Sequence, residues 1–305
     1  MLRKSLCFFC MSLMVLSFVS CGCSNREEGN IPSSTTGDVT VDEKETESSF
    51  SEQKDLDTDL AIKEENVDLS SDFHGINGCA VLYSPEDNQY FYYNKSMCEQ
   101  RVSPFSTFKI ISTLLGLQNG IISDESSTMD YDGSQYANTE WNRNLTLKEA
   151  FQTSCIWYFR QVIDAVGKEN VQETLNDLSY GNCDISEWEG SGVNSSSELN
   201  GFWLDASLEI SPTEQVQVLS KIFDGNSTFA PSDVEILKNI MFVDHDGTKI
   251  IYGKTGSGTR GRAWFVGFAE EKGTRKYFAV YLSDDEQGEN ISGTTAKDIA
   301  LKILN

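Results

Sequence analysis

β-forming and helix-forming segments are segregated along this 305-residue chain, and that limits the folds open to it more than any other feature of the sequence. Cys79 to Tyr83 and Gln89 to Tyr93 are short runs of β-branched and aromatic residues. They are split by Ser84-Pro85-Glu86-Asp87-Asn88, which has the chemistry of a hairpin turn. Three more such runs come late, at Lys249 to Tyr252, Ala263 to Ala269 and Lys276 to Leu282, joined by Gly-containing loops. Between the two groups apolar residues recur at helical spacing over Thr107 to Gln118, Leu147 to Gln152, Cys155 to Val166, Val171 to Leu178, Pro212 to Phe223 and Ser232 to Met241. A last helix is expected from about Thr295 to Leu304. The order predicts an α+β fold: one antiparallel sheet completed by both chain ends, flanked by helices, with an all-helical lobe inserted. The 39% apolar content suffices for a large core.

The chain start reads differently. Met1 to Lys4 carry two positive charges, Leu6 to Val19 are almost wholly apolar, and Ser20-Cys21-Gly22 follows. This is the pattern of a signal peptide over residues 1–20, and with Cys21 it resembles a bacterial lipobox, although Phe18 stands where that pattern prefers Leu. The expectation is a secreted protein anchored by lipid on Cys21 to the outer face of a bacterial membrane. Gly22 to Asp72 holds 15 acidic and 4 basic residues and almost no aromatics, too little apolar surface to offset ordering entropy. Residues 21–65 are therefore expected to be a disordered acidic linker, and residues 66–305 the domain. The net charge of −23 opposes binding to nucleic acid or anionic lipid, and no protein partner is predicted. His74 and His245 are the only histidines and the cysteines lack ligand spacing, so no metal is expected. The sequence leaves open a disulfide between Cys79 and Cys98. Asp244-His245-Asp246-Gly247 reads as a turn before a strand.

Four short motifs stand in one order: Ser106-Thr107-Phe108-Lys109, Ser154-Cys155-Ile156, Tyr180-Gly181-Asn182 and Lys254-Thr255-Gly256. Singly they are weak, since roughly one Ser-x-x-Lys arises by chance in a chain this long. A second copy, Ser51-Glu52-Gln53-Lys54, lies in the acidic stretch. Together they supply a nucleophile, a base and proton or carboxylate handlers, which is what acyl transfer to a serine hydroxyl requires. Pro104 and the apolar residues after Ser106 place that serine at a helix N-terminus, with Lys109 one turn later on the same face. A solvated lysine is neutral only about one part in 2,500 at pH 7, which costs a base roughly 4.6 kcal/mol. Lys109 must therefore sit among apolar neighbours, for which Phe105, Phe108, Ile156, Trp157 and Trp203 are the candidates.

On these motifs, and on Gly78-Cys79-Ala80-Val81-Leu82-Tyr83, Phe202-Trp203-Leu204, Leu208-Glu209-Ile210-Ser211-Pro212 and Trp264-Phe265-Val266-Gly267, the chain from about Phe73 to Asn305 resembles the class D, oxacillinase-type, serine β-lactamases. The resemblance implies hydrolysis of a small-molecule β-lactam through an ester on Ser106. Lys109 would be carboxylated by carbon dioxide to N6-carboxylysine and act as general base, bicarbonate being the only co-reagent and no other cofactor being needed. Ser154 would shuttle a proton to the leaving nitrogen, and Trp203 would hydrogen-bond the carbamate. Lys254, Thr255, Gly256 and Ser257 would face the substrate, with the backbone N–H groups of Ser106 and Ser257 forming the oxyanion hole. Tyr180 is counted with the substrate-binding set, although its motif is expected to be mainly structural.

Two departures stand out. Ile156 replaces the usual Val, which keeps the pocket apolar. The arginine that family enzymes carry after the last strand is missing from Glu289 to Thr294, and Arg260 or Arg262 is expected to take over the substrate carboxylate. The segment from Asn182 to Trp203 is also long for the family, and its Ser, Gly and Asn content predicts mobility. The alternative reading is a penicillin-binding sensor-type domain that acylates and does not turn over. Such sensors typically carry Asn where this chain has Ile156, which favours turnover. A class A enzyme fits less well: no Ser-Asp-Asn motif occurs, and Ser196 stands where the basic Glu of that class would be.

Overall fold

The structure, a computed structural model, describes residues 61–305; the leader, Cys21 and the linker up to residue 60 lie outside the described residues. Seven strands form one sheet: β1 (Lys63–Asn66), β2 (Gly78–Ser84), β3 (Gln89–Tyr93), β4 (Phe242–Asp246), β5 (Lys249–Ser257), β6 (Arg262–Glu271) and β7 (Thr274–Ser283), in the order β1-β3-β2-β7-β6-β5-β4. The helices among the described residues are α1 (Ser70–Phe73), α2 (Lys95–Cys98), α3 (Lys109–Gln118), α4 (Leu147–Gln152), α5 (Ile156–Val166), α6 (Lys168–Leu178), α7 (Pro212–Phe223), α8 (Pro231–Ile240) and α9 (Gly293–Leu304). The sheet is joined across its middle by β2 and β7, antiparallel with Ala80 opposite Val280 and Leu82 opposite Phe278, so early and late sequence meet there.

Side chains on the central strands alternate between two apolar faces. Val81, Trp264, Val266, Phe268, Tyr277 and Ala279 point to the larger core, shared with α7 and the helical lobe, while Ala80, Leu82, Phe265, Phe278 and Val280 point to a second core closed by Ile299 and Ala300 of α9. Within the lobe, every residue of α3 from Lys109 to Leu117 is buried, against α5 and α8 among others. That is why its sequence is apolar around nearly the whole circumference. α7 is fixed at its start by a capping box between Ser211 and Glu214, with Pro212 in its first turn, and Arg101 Nε clasps both Glu214 oxygens at 2.9 and 3.0 Å.

The sheet corrects three expectations. It is mixed, because β1 runs parallel to β3, with Lys63 opposite Gln89. β1 also takes the last residues assigned to the linker; Lys-Glu-Glu-Asn has no apolar alternation to betray a strand, and it is held by its backbone ladder and by Lys95 on Glu64 at 2.6 Å. Asp244 to Asp246 belongs to β4, which pairs with β5 across a turn at Gly247. Cys79 and Cys98 are both free thiols, buried in the larger core.

Candidate active site

Ser106 lies in a single tight turn, Phe105–Phe108, that runs directly into α3. Phe105 holds φ at +49°, a conformation costly for a bulky side chain. Surrounding contacts impose it: Phe105 N–H donates to the Trp203 carbonyl at 3.0 Å, and the Phe105 ring lies so close over Gly258 that a Cβ there would come within 2.1 Å of it. One turn on, the Lys109 side chain is fully buried and its Nζ donates to Ser106 Oγ at 2.9 Å. The ring of Phe159 stands 5.6 Å from the amine. Burial pulls the Lys109 pKa down to about 7, opposed only by the Cys155 thiol. Near neutral pH roughly half of such amines are uncharged, against a small fraction of a per cent in water. Of the apolar neighbours expected from sequence, Phe108, Trp157 and Trp203 are buried, whereas Ile156 is half-exposed; Phe159 and Cys155, not anticipated, flank the amine instead.

A second hydroxyl–amine pair faces this one. Ser154, at φ +56°, sits in the turn between α4 and α5, and Lys254 reaches it from β5, with Nζ 2.5 Å from Ser154 Oγ and 2.9 Å from the Thr255 carbonyl. Lys254 is 3% exposed, its Nζ 5.4 Å from the centre of the Phe151 ring. Burial, and then the nearby charge of Lys109, hold its pKa well below the ordinary lysine value. β5 meets the nucleophile turn closely: a Cβ on Gly256 would stand 3.3 Å from the Pro104 carbonyl and from Thr107 Cγ2. Ser257 Oγ accepts from Gly293 N–H at 2.8 Å, tying the end of β5 to α9.

Trp203 is fully buried, stacked on Phe108 at 5.6 Å, and its indole N–H has no hydrogen-bond partner. An orphaned donor at such depth is uncommon and marks a place where a polar group fits. Its carbonyl accepts from Ser103 Oγ as well as from Phe105 N–H, so the tryptophan and the nucleophile turn are positioned together.

Two expected substrate contacts are placed elsewhere. Tyr180 is 1% exposed, packed edge-on against Phe108 behind the turn, with its hydroxyl beside Thr107 and Gln215, so its ring supports the site from within the core. Its motif clamps the tryptophan loop: Asn182 Nδ2 donates to the Ser207 carbonyl at 2.8 Å, and Asn182 Oδ1 accepts from Glu209 N–H. Gly181, at φ +55°, passes so near the Glu209 carbonyl that a Cβ would lie 1.9 Å from it. Arg260, in the β5–β6 turn, lines a rim with Asp285, Glu286, Gln287 and Asn290 and does not line the cavity that touches Lys254 and Thr255. Arg262 is committed to Asp205, at 2.6 and 3.0 Å, and to Thr259.

Arg160 was not singled out by any sequence motif. Buried on α5, it bonds Asp164 twice at 2.8 Å, Glu189 at 3.0 Å and the carbonyls of Trp188 and Asn200 at 2.8 and 3.4 Å. Asn200 in turn bonds Asn194 and Ser196, so the segment expected to be mobile is densely tied. Trp188 stacks on Phe202 at 5.1 Å and Phe202 meets Trp203 edge-on at 5.0 Å, which extends the clamp to the site.

A serine whose hydroxyl already touches a half-neutral amine, with a second serine backed by a second buried lysine at the sheet edge, defines a serine acyl-transfer protein on an α+β scaffold. Residues 72–305 match the penicillin binding protein transpeptidase domain. The chain is 34% identical to the probable beta-lactamase YbxI of Bacillus subtilis, over 80% of its own length and 85% of that protein. It is 32% identical to the regulatory protein BlaR1 of Bacillus licheniformis over 80% of its length, and it spans only 39% of that relative. The solved class D beta-lactamase from Bacillus subtilis has the same fold, with a TM-score of 0.68 at 34% identity, covering 78% of this chain and 94% of that one. The chain belongs to the penicillin-binding transpeptidase family, in the branch that holds the class D β-lactamases and the BlaR1 regulatory proteins.

Proposed function

We propose that this protein hydrolyses β-lactam antibiotics through an acyl-enzyme, conferring resistance on its host. The observation that carries the reading is the buried Lys109 amine 2.9 Å from Ser106 Oγ with a pKa lowered to about 7. Loss of the Ser106 proton frees Oγ to attack the lactam carbonyl carbon, while the backbone N–H groups of Ser106 and Ser257 receive the developing oxyanion. The C–N bond then breaks as Ser154 Oγ hands its proton to the leaving nitrogen, and Lys254, 2.5 Å away, holds Ser154 in place and favours the return of a proton. Water completes the cycle by displacing Ser106 from the ester.

A carboxyl group added to neutral Lys109 by carbon dioxide supplies the base for both half-reactions. The residues present suit it: an amine kept uncharged by burial, and the unpartnered Trp203 indole N–H as a donor for a carboxylate. No metal or organic cofactor enters this reaction. The test is nitrocefin turnover by residues 61–305, with Ser106→Ala and Lys109→Ala beside it, in buffer freed of carbon dioxide and again with bicarbonate. Many turnovers, raised by bicarbonate and abolished in both variants, support the reading; carbon-13 bicarbonate should also give a protein-bound carbamate signal by NMR. We further propose export and lipid anchoring through Cys21, so that Cys21→Ala moves the protein from the membrane fraction to the medium with its turnover intact.

The likeness to BlaR1 favours a second reading, a receptor that is acylated and stays so. Burst kinetics separate the two, since a receptor releases one equivalent of product and stops.

A further inference from the structure

Next to the Ser154–Lys254 pair, the edge of β5 borders a cavity of about 230 Å³ lined by Phe151, Phe242, Lys254, Thr255 and Lys297 among others. Lys297 reaches it from α9. That helix starts hard against the strand, for a Cβ on Gly293 would lie 2.7 Å from Thr255 Cβ. One turn later, roughly 6 Å along the axis, Lys297 shares the cavity with Lys254 and Thr255.

The cavity contains two lysines and no acidic side chain. Lys254 is committed to Ser154 Oγ and the Thr255 carbonyl. Lys297 forms no hydrogen bond, ion pair or ring contact with any described residue. Lys297 is half-buried and shares the cavity wall with Phe151, Phe242, Val243 and Phe265. An anion bound there would pair with the Lys297 ammonium, which has no carboxylate in the cavity to meet it, and the hydroxyl of Thr255, 3.5 Å from the Lys254 amine, supplies a neutral donor beside it. Arg262 is tied to Asp205, and Arg260 lies on the acidic rim.

We propose that Lys297, with Thr255, binds the carboxylate of the β-lactam substrate and so determines specificity for anionic substrates. This rests on the reading of Ser106 as a nucleophile toward β-lactams. The test uses the full chain with benzylpenicillin and with its methyl ester, which keeps the lactam and lacks the anion, following acylation by mass spectrometry and turnover at steady state. Lys297→Ala should lower kcat/KM for the acid about 10- to 100-fold, almost entirely through KM, while the ester reacts as with wild type. Lys297→Arg should restore most of the loss. An unchanged KM for benzylpenicillin in Lys297→Ala overturns the proposal, as does an equal loss on acid and ester, which would make Lys297 a packing residue. If neither compound acylates the wild-type serine, the β-lactam reading falls and this proposal with it. If wild type is acylated and Lys297→Ala is indifferent, this proposal alone falls.

Discussion

At the scale of single residues the chemistry depends on Lys109, and pH tests it in two ways. Its pKa is about 7 when folded and near 10.5 when unfolded, so between these values only the unfolded chain holds the proton. Stability from this residue therefore rises with pH across that window. As pH falls the penalty grows, and it is complete below about 7, on the order of 4 to 5 kcal/mol. Lys109→Met should accordingly raise Tm by several degrees at pH 6 and by much less at pH 9, in buffer free of carbon dioxide, while destroying turnover. Calorimetry at the two pH values checks it, and a Tm that does not rise at pH 6 refutes the burial argument. Because only the neutral amine adds carbon dioxide, the bicarbonate-dependent part of turnover should fall as pH drops through about 7. The Ser106–Lys109 contact was legible in the sequence since it spans one helical turn. The Lys254–Ser154 contact crosses 100 residues; likeness to a family placed both residues at the site, and nothing in the sequence paired them. Phe159, Cys155 and Lys297 gave no signal, because nothing local distinguishes a residue that lines a site from one that fills a core or faces water.

At the scale of elements, the tryptophan loop shows what composition hides. Ser, Gly and Asn between Asn182 and Trp203 read as mobility, yet in the fold the side chains of Asn182, Asn194 and Asn200 bond backbone carbonyls, and buried Arg160 fastens both ends of the segment from Trp188 to Asn200. Both carboxylates on Arg160 are partly solvated, Asp164 at 46% and Glu189 at 78% exposure, so the ion pairs themselves contribute little. The carbonyls matter more. Arg160→Met should cost about 2 to 3 kcal/mol, seen as faster amide exchange across residues 186–200 and lower turnover, with exchange in β6 and β7 unchanged. Gly181→Ala attacks the same loop from its other end. A methyl 1.9 Å from the Glu209 carbonyl at positive φ forces the chain apart, at a cost of about 2 to 4 kcal/mol in chemical denaturation. Strands and helices with strong apolar periodicity were legible; β1 and β4 were not, because they are edge strands, mostly exposed and held by backbone bonds that leave no pattern in side chains.

At the scale of the whole molecule, the first and last of the described elements, β1 and α9, finish the sheet layer by different physics and should tolerate truncation unequally. β1 adds four exposed residues to one edge, contributing ladder bonds such as Lys63 N–H to the Asn88 carbonyl at 2.9 Å, a salt bridge from Glu64 to Lys95, and no apolar burial. Net hydrogen bonds and surface ion pairs of this kind are worth about 1 kcal/mol each or less. α9 instead closes the second core, where Ala296, Ile299 and Ala300 cover Phe265, Phe278, Val280 and Leu282. Removing it leaves a contiguous apolar sheet face open to water, a surface that drives aggregation. A chain begun at Val67 should therefore keep its turnover and lose only a few degrees of Tm, at about 2 to 4 °C per kcal/mol for a domain of this size. A chain ended at Ile291 should be recovered insoluble or bind a hydrophobic dye, whatever its four motifs. Should the shortened N-terminus abolish folding instead, β1 would have to act through contacts other than its exposed ladder.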